Sequence, residues 1–379
     1  MRFIFTVLGI WGAMHAYAWF RVRAYAGLGA AWSVALAFAL AALMASPVAG
    51  MWLARSGHAV SGHILSSIGM VWAGAFFLFF WISVLHDVYN GLLTVAGLVI
   101  PAARSARLVG PWSVGGEGIL VALLTVYSFY EAWHVTTERV ELRTAKLPPD
   151  LPHVRIVEIS DVHLGASVGR GRLRRILRVV NEAKPDLLLS LGDLVDAERG
   201  DMTQLTEMLA AVEAPLGKYA VTGNHEYYFG LEDALAFTQK AGFRMLMNES
   251  ARVTPGLSLA GFEDEGGHYY GGEGRKWDEA PIVRQAAQGD YVIVLKHRPF
   301  VNSESLPSMD LQLSGHTHRG QIFPFTLFIL AYYPYGPGLQ EPAPGKYLYT
   351  SRGAGTWGPP MRFLNPPEVT VVDLIRSPG

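Results

Sequence analysis

Hydrophobic positions follow one another almost without interruption through the first third of the chain. They form four runs, at about 3–20, 27–45, 65–85 and 117–134. Each run approaches the roughly 20 residues that a helix needs to cross a bilayer. We therefore predict a helical membrane domain over residues 1–135, with about four passes and with the first run retained.

A further apolar stretch, residues 88–103, cannot be assigned from its pattern alone. It follows His86 and Asp87, reaches Pro101 near its end, and is short for a membrane helix. A fifth pass, a re-entrant segment and an interfacial helix all stay open. His86 and Asp87 lie at the edge of a membrane run, where we expect an interfacial role.

The hydrophobic period changes after residue 152 to that of short buried strands. The predicted strands are Val154–Ile159, Leu187–Leu191, Tyr219–Thr222, Tyr291–Lys296 and Leu311–Ser314. Three helical patterns occur between strands, at Leu173–Ala183 and at about 202–213 and 231–241. Strands that alternate with helices predict an α/β layered domain over residues 153–379. A Pro-rich connector, residues 136–152, separates it from the membrane domain.

Every one of these strands ends in polar residues. The polar motifs are Asp161-Val162-His163, Gly192-Asp193-Leu194-Val195-Asp196, Gly223-Asn224-His225-Glu226, His297 and Gly315-His316-Thr317-His318. Ligands gather at the carboxyl ends of strands in α/β domains, so we expect these side chains to lie together. On extended segments, Asp161 and His163 would point to one side, as would His316 and His318.

Carboxylates, an amide and imidazoles in this combination are typical of a centre for two divalent metals. Mixed oxygen and nitrogen ligands suit Mn, Zn, Fe or Co better than Ca or Mg. Asp193 is well placed to bridge two cations, since a carboxylate has two oxygens. Two metals about 3.5–4 Å apart can clamp the attacking and leaving oxygens of a phosphoryl transfer. They also lower the pKa of a bridging water, which gives hydroxide at neutral pH.

Composition supports the division of the chain. Only nine of the 63 charged residues precede residue 136, too few for a soluble domain of that length. The chain has no cysteine, which excludes disulfides, thiolate ligands and a cysteine nucleophile. The net charge of −1 gives no basic field, so no nucleic-acid partner is expected.

Taken together, the motifs resemble those of the calcineurin-like metallophosphoesterase superfamily: D-x-H, G-D-x-x-D, G-N-H-[DE], H and G-H-x-H. All five are present in that order, and the similarity covers roughly residues 153–375. The closing segment, Tyr349–Thr356 through Pro367–Val369, and the membrane-spanning front are similar to the transmembrane metallophosphoesterase subgroup. Some relatives of that subgroup hydrolyse UDP-2,3-diacylglucosamine in lipid A synthesis.

The resemblance implies a β-sandwich flanked by helices, with both metals at one edge. It assigns Asp161, His163, Asp193 and His318 to the first metal, and Asp193, Asn224, His297 and His316 to the second. His225 would lie outside the metal shell, contact the phosphate and protonate the leaving oxygen. Asp196 would be its partner, or an outer group that orients a ligand. Arg319, where relatives often have glycine, would contact a substrate phosphate or point to solvent.

The leading hypothesis is a membrane-anchored dimetal phosphohydrolase that cleaves a phosphoester or pyrophosphate bond by metal-activated hydroxide. From the resemblance, a lipid-linked substrate such as a UDP-diacylglucosamine-type lipid is the first expectation, with manganese among the candidate metals. One alternative is a phosphodiesterase or phosphatase for soluble or cell-wall substrates, with the helices only as an anchor. Another is a membrane sensor or transporter with a regulatory phosphoesterase domain. The scarcity of charges in the apolar runs argues against a transport path.

Three further segments bear on the membrane. Five arginines, Arg170, Arg172, Arg174, Arg175 and Arg178, predict a solvated face or one that meets anionic headgroups. Residues 323–335 are unusually apolar for a loop, which indicates core packing or a surface that enters the bilayer or receives an acyl chain. Gly266–Gly272, with His268, predicts a surface loop or a lid.

Loop charges bear on the orientation in the cell membrane. With four passes, one side receives four arginines, Arg21, Arg23, Arg104 and Arg107. That side is cytoplasmic by the positive-inside rule, which predicts an extracytoplasmic catalytic domain. Arg139, Arg143 and Lys146 favour the opposite orientation, as would a fifth pass.

Overall fold

The computed structural model describes residues 2–165, 168–196, 202–266 and 277–378. The chain divides into two compact units. One comprises residues 1–129 and 358–361, and the other comprises residues 130–357 and 362–379. From position 267 onward, the predicted loop Gly266–Gly272, including His268, lies outside the described residues.

Long apolar helices build the first unit. They are α1 (Arg2–Ala26), α2 (Ala30–Arg55), α3 (Ala59–Ala96) and α4 (Pro111–Trp133). Each predicted run falls largely within one of them, which confirms the helical front of the chain. By length and composition, α2, α3 and α4 are able to cross a membrane.

The stretch 88–103 does not form a helix of its own. Its first part continues α3, and its last part begins a 3-10 helix, Pro101–Ala106. With 38 residues, α3 is about 57 Å long at 1.5 Å per residue. That is nearly twice the roughly 30 Å of the hydrocarbon core, so α3 is longer than a perpendicular crossing requires.

A buried ion cluster joins three helices of this unit. Arg21 of α1 donates hydrogen bonds of 2.6 and 2.7 Å to the Glu117 carboxylate of α4, and its Nε lies 2.9 Å from Asp87 Oδ1 of α3. His86 also contacts Glu117. Arg21 and Glu117 are only 4% and 6% exposed, so these charges are paired with one another between the helices.

Two six-stranded sheets form the second unit. The first sheet has the order β1 (Thr136–Thr144), β12 (Glu368–Arg376), β2 (His153–Ile159), β3 (Leu187–Ser190), β4 (Lys218–Ala220), β5 (Arg244–Met245). The second has the order β10 (Gly338–Ala343), β11 (Lys346–Thr350), β9 (Leu311–Ser314), β8 (Tyr291–Leu295), β7 (Leu257–Gly261), β6 (Glu249–Thr254). Ile156 and Leu189 of one sheet share a fully buried cluster with Leu259 and Ile293 of the other. One core between two sheets confirms the predicted sandwich.

Helices accompany both sheets. They are α5 (Arg170–Ala183), α6 (Thr203–Ala210), α7 (Asn224–Phe229), α8 (Leu231–Lys240), α9 (Glu279–Ala286) and α10 (Phe325–Tyr332). Apolar residues recur every three or four positions in α5, which buries Leu173, Ile176 and Val180 in a core shared with β2 and β3. On the second sheet, α9 buries Val283. The three predicted helices correspond to α5, α6 and α8.

Two segments differ from the prediction. Residues 136–144, assigned to the connector, form β1, which pairs in parallel with β12 along its whole length. The connector therefore shrinks to residues 145–152. Residues 323–335, described as a loop, contain helix α10, in which only Thr326 is buried.

Candidate metal centre

All seven predicted ligands lie together, near the ends of strands from both sheets. The residues and the strands they follow are Asp161 and His163 (β2), Asp193 (β3), His297 (β8), and His316 and His318 (β9). Asn224 is the first residue of α7, shortly after β4. His316 is half-buried and the other six are buried. The predicted ligand side chains thus lie together at the edges of the two sheets.

The backbone at these ligands is not extended, which corrects the expectation of alternating side chains. The φ angle is positive at Asp161 (53°), His163 (55°), Asp193 (50°), His316 (69°) and His318 (47°). Left-handed conformations of this kind cost on the order of 1–3 kcal/mol each at residues other than glycine. Tight turns after the strands therefore aim these side chains, and strand alternation does not.

One cluster of candidate ligand atoms lies between the loops after β2 and β9. His163 Nε2 is 3.0 Å from His318 Nε2, and His318 Nε2 is 3.5 Å from Asp161 Oδ1. The three side chains offer ligand atoms within 4.8 Å of one another. Asp193 Oδ2 lies 3.9 Å from His163 Nε2, next to this cluster.

A second cluster consists of Asp193, His297 and His316. His297 Nε2 lies 3.1 Å from Asp193 Oδ2 and 3.1 Å from His316 Nδ1. The other nitrogen of His297, Nδ1, is 2.8 Å from the carbonyl oxygen of Leu191, which fixes the orientation of the ring. Asp193 therefore faces both clusters.

These atoms fit divalent cations. Asn224 Oδ1 is buried and has no hydrogen-bond partner among the described residues, which is rare for a polar atom in a protein interior. Two pairs of imidazole nitrogens lie 3.0 and 3.1 Å apart, and each pair needs a proton or a cation between its lone pairs. Aspartate, imidazole and amide together form the mixed set that suits Mn, Zn, Fe or Co.

Burial and mutual charge set the ionisation of the ligands. Burial raises the pKa of Asp161. Burial also raises the pKa of Asp193, but the charges of His297 and His225 outweigh it and hold that pKa well below its usual value. Burial lowers the pKa of His297, and the Asp193 charge outweighs it and raises the pKa to about 10. A cation held by Asp193 and His297 would therefore displace a proton.

His225 lies next to Asp193, which faces both clusters, and its ring contacts the carboxylate of Asp196. Its Nδ1 lies 2.9 Å from Asp196 Oδ1, and its backbone N–H donates to Asp193 Oδ1 at 2.8 Å. It forms a third group of potential ligands with His163 and Asp193. Burial lowers the pKa of His225, but the Asp193 charge and the Asp196 hydrogen bond outweigh it and raise the pKa. A histidine with a raised pKa, held by a carboxylate, is suited to donate a proton.

Glu226 connects two of the ligand loops, a role that was not predicted from its place in the Gly223–Glu226 motif. Its carboxylate accepts hydrogen bonds from the backbone N–H groups of Gly223 at 2.6 Å, Asp193 at 2.9 Å and Leu194 at 2.8 Å. Burial, followed by the Asp193 charge, raises the pKa of Glu226 to about 7. Glu226 thus fixes the backbone of Asp193 relative to the loop that carries Asn224.

Arg298, and not Arg319, lies beside His316. Arg298 Nη1 lies 3.1 Å from His316 Nε2, and its Nε donates to Asp264 at 2.8 Å. Arg319 lines a separate cavity of about 340 Å³ with Glu138, Arg352 and Glu368, and no predicted ligand lines that cavity. The structure does not bring Arg319 into the clusters. Position alone could have indicated Arg298, since it directly follows His297.

Aromatic side chains surround the centre. The ring of Trp357 lies 5.9 Å from that of His225 and is 56% exposed. Tyr228 lies 4.8 Å from His225, ring to ring. On the other side, Tyr333 lies 6.4 Å from the His316 ring and 5.2 Å from the ring of Phe300. A substrate that reaches these histidines would therefore meet an apolar rim.

The sandwich of two sheets and the Asp–His–Asn clusters at their edge define a metal-dependent hydrolase of phosphoesters. The chain belongs to the calcineurin-like phosphoesterase family, and the family model matches residues 154–320. The match confirms the resemblance inferred from the five motifs.

Relatives extend the similarity beyond that match. A metallophosphoesterase of Aquifex aeolicus is 40% identical over 257 residues, which cover 67% of this chain and 97% of that protein. The transmembrane protein with metallophosphoesterase domain of Danio rerio is 33% identical over 270 residues, 68% of this chain and 62% of that protein. A protein of the same name from Bos taurus is 33% identical over 259 residues, 64% of this chain and 57% of that protein. The chain therefore spans less than two thirds of these two vertebrate relatives. Because α2, α3 and α4 are long and apolar enough to cross a membrane, the protein is a membrane metallophosphoesterase.

Proposed function

We propose that this protein is a two-metal phosphohydrolase that acts on a lipid-linked phosphoester or pyrophosphate at the membrane. A UDP-diacylglucosamine-type lipid is the first candidate substrate. The observation that carries the lipid preference is the exposed apolar surface of α10, which follows the His316–His318 motif in the chain. Hydrolysis itself rests on the family and on the clusters of ligand-type residues.

Two cations that share Asp193 would divide the ligands between them. Asp161, His163, Asp193 and His318 would hold the first, and Asp193, Asn224, His297 and His316 would hold the second. The distances within the two clusters and the unpartnered Asn224 Oδ1 support this assignment. When bound, the two cations supply Lewis acidity and positive charge toward the phosphoryl oxygens.

In this proposal, two side chains of the protein act on the substrate directly. His225, held through Nδ1 by Asp196 at 2.9 Å, donates a proton from Nε2 to the leaving oxygen. Arg298, held by Asp264 at 2.8 Å, binds an oxygen of the phosphoryl group or of the adjoining phosphate. Glu226 keeps the two ligand loops in register and does not contact the substrate.

Helix α10 supports the lipid part of the proposal. Leu327, Phe328, Leu330 and Tyr332 are 57%, 51%, 48% and 72% exposed. The carbonyl of Arg319, next to His318, accepts a hydrogen bond from Thr326 at 2.8 Å, so this apolar face is fixed close to the ligand loop. Burial of apolar surface contributes about 25 cal/mol per Å², which favours an acyl chain or a bilayer against this helix.

Hydrolysis is tested with purified full-length protein in detergent, with added Mn, on a water-soluble aryl phosphodiester. Asp193→Ala is expected to abolish turnover because it removes a ligand from both cations. Asp150→Ala, an exposed aspartate of the connector, is the matched control and should keep wild-type activity. Turnover in Asp193→Ala would refute the two-metal mechanism.

Substrate class is tested by comparing a nucleotide-linked diacyl lipid with the aryl phosphodiester in the same preparations. Leu327→Gln with Leu330→Gln should lower kcat/KM for the lipid and leave the aryl substrate unchanged. Leu339→Gln, 40% exposed in β10, is the matched control and should affect neither substrate. Equal turnover of both substrates in wild type and variant would favour soluble phosphoesters, with the helices only as an anchor.

A further inference from the structure

A groove on the outer side of α5 carries a concentration of positive charge. Arg174, Arg175 and Arg178 line a cavity of about 910 Å³, and Leu177 and Met208 are among its apolar lining residues. All three arginines are exposed. Glu182 is the carboxylate among the lining residues, so the groove is left with a net charge of about +2.

One predicted member of this basic cluster does not belong to it. Arg172 is 7% exposed and points inward, where it donates to the carbonyl oxygen of Ala132 at 2.9 Å and to Thr356 Oγ1 at 2.8 Å. Arg172 is therefore a structural residue. The exposed charge lies on the opposite face of α5, which leaves it available to a ligand.

The groove also contains the tryptophan that ends a membrane helix. Trp133 is the last residue of α4 and is 41% exposed, and tryptophan at such a position lies at the level of the lipid headgroups. The guanidinium carbon of Arg175 lies 4.6 Å from the centroid of the Trp133 ring, a cation–π contact. At Gly171, a Cβ would come within 4.0 Å of the same ring. The start of α5 thus packs against Trp133, which belongs to the same compact unit as α5.

The charges that face the arginines leave them available to an anion. Glu182 Oε1 is 3.9 Å from Arg178 Nε, and both side chains are more than two thirds exposed, at 70% and 67%. An exposed pair at this distance contributes little. Arg170, one turn before Arg174, contacts Gln204 and no carboxylate among the described residues.

We propose that this groove binds the headgroup of an anionic phospholipid. Arg174 and Arg178 would hold the phosphate, and Leu177 and Met208 would lie under the glycerol and the first carbons of the acyl chains. Trp133 selects a lipid over a soluble anion, because it lines the groove and is also the last residue of a helix able to cross a membrane. No predicted metal ligand lines the groove, so this site is separate from the metal centre and independent of the proposed substrate.

The test exploits the absence of cysteine from the chain. Full-length Asn181→Cys, labelled with an environment-sensitive fluorophore, places one reporter among the groove-lining residues. In detergent, it is titrated with phosphatidylglycerol, phosphatidylcholine or glycerol 3-phosphate. Only phosphatidylglycerol should shift the emission at low concentration, and added salt should weaken the shift.

Variants assign the effect to the arginines. Arg174→Gln with Arg178→Gln should weaken phosphatidylglycerol binding roughly 30-fold, since each basic residue near an anionic surface contributes about a factor of five. Arg143→Gln with Arg244→Gln removes two exposed arginines elsewhere in the same unit, 65% and 55% exposed, and should leave binding unchanged. Activity on the aryl phosphodiester should be intact in both pairs, which shows that each variant is folded.

Three results would overturn the proposal. Phosphatidylcholine that binds as tightly as phosphatidylglycerol would show that the arginines do not select the headgroup. Glycerol 3-phosphate that competes at equal concentration would make the groove a site for soluble anions. Equal losses in the two pairs of variants would show that net charge matters and the groove does not.

Discussion

Replacement of Arg362 tests how far the metal centre depends on a side chain that binds no metal. Arg362 is fully buried, and its guanidinium donates to the carbonyl oxygens of Gly355 at 2.6 Å, Arg352 at 2.8 Å and Gly353 at 3.2 Å. Its Nη2 also lies 3.1 Å from His318 Nδ1. The Arg362 guanidinium therefore connects the loop after β11 to His318, a candidate ligand.

The structure sets the size of the effect. Arg362→Met fills much of the same space and removes every donor, and each buried carbonyl left unpaired costs about 1–3 kcal/mol. Burial lowers the pKa of Arg362 to about 9, so loss of this desolvated charge offsets part of the cost. We expect a net loss of about 2–4 kcal/mol in the free energy of unfolding. A partner that orients a metal ligand also typically contributes 10–100-fold in metal affinity.

Two measurements check this expectation on full-length protein in detergent. Thermal unfolding should shift downward by roughly 5–15 °C, and calorimetric titration with Mn should show weaker binding by at least about tenfold. Arg362→Lys keeps the charge with fewer donors and should fall between wild type and Arg362→Met. Arg376→Met, which loses one bond of 3.0 Å to the carbonyl oxygen of Leu147, is the control. Unchanged Mn affinity in Arg362→Met would refute the link between this arginine and His318.

Three further predictions concern pH, the helical unit and the metal. Burial raises the pKa of Glu158 to about 8, above its unfolded value, so its contribution to stability is present at low pH and is lost as pH rises toward 8. Glu158→Gln should therefore melt increasingly above wild type between pH 5 and 8.5, by up to about 1.4 kcal/mol per pH unit, whereas a constant offset would contradict the argument. Glu117→Ala removes the bidentate partner of buried Arg21 and should cost about 3–5 kcal/mol in detergent melts, unlike Arg55→Ala on an exposed helix end. Chelation of divalent metal that was present at 100 times its Kd should lower the free energy of unfolding of wild type by about 2.7 kcal/mol, seen as a lower melting temperature, and the same drop in Asp193→Ala would speak against the assigned site.

The candidate ligands could be predicted from motifs to lie together because their positions depend on local chain geometry. A polar residue two or three positions after a buried strand lies at the sheet edge, and this holds for Asp161, Asp193 and His297 alike. Arg362 gives no such signal. It acts on His318, which is 44 residues away in sequence, through a contact that exists only in the folded chain. The periodicity and the motif spacing of the sequence cannot predict residues of this kind.

Strand β1 shows a second limit. Its inward and outward positions alternate, yet it lies at the edge of the first sheet, and its partner β12 is near the other end of the chain. Residues 136–144 are partly exposed, and their partner strand is distant in the sequence. Their sequence pattern therefore resembles that of a polar linker. The placement of Arg319 also depends on the folded backbone. Arg319 directly follows the histidine motif, but its φ angle is left-handed, at 50°, and its side chain lines a different cavity.

The left-handed turns at the ligands connect these observations. Five strained residues at about 1–3 kcal/mol each represent a sum comparable with the 5–15 kcal/mol that stabilises a typical domain. The offset lies in the same loops, because the N–H of Asp161 donates to Gly192 O at 3.1 Å and that of His163 donates to Asp193 O at 3.0 Å. Gly355 N–H then donates to Asp161 O at 2.9 Å, and Gly355 O is held by Arg362. The loop after β2 is thus held by hydrogen bonds to the loops after β3 and β11. The position of a candidate ligand therefore depends on residues outside its own loop. Glu226 holds the backbone of Asp193, and Arg362 contacts His318 and holds the loop that supports Asp161.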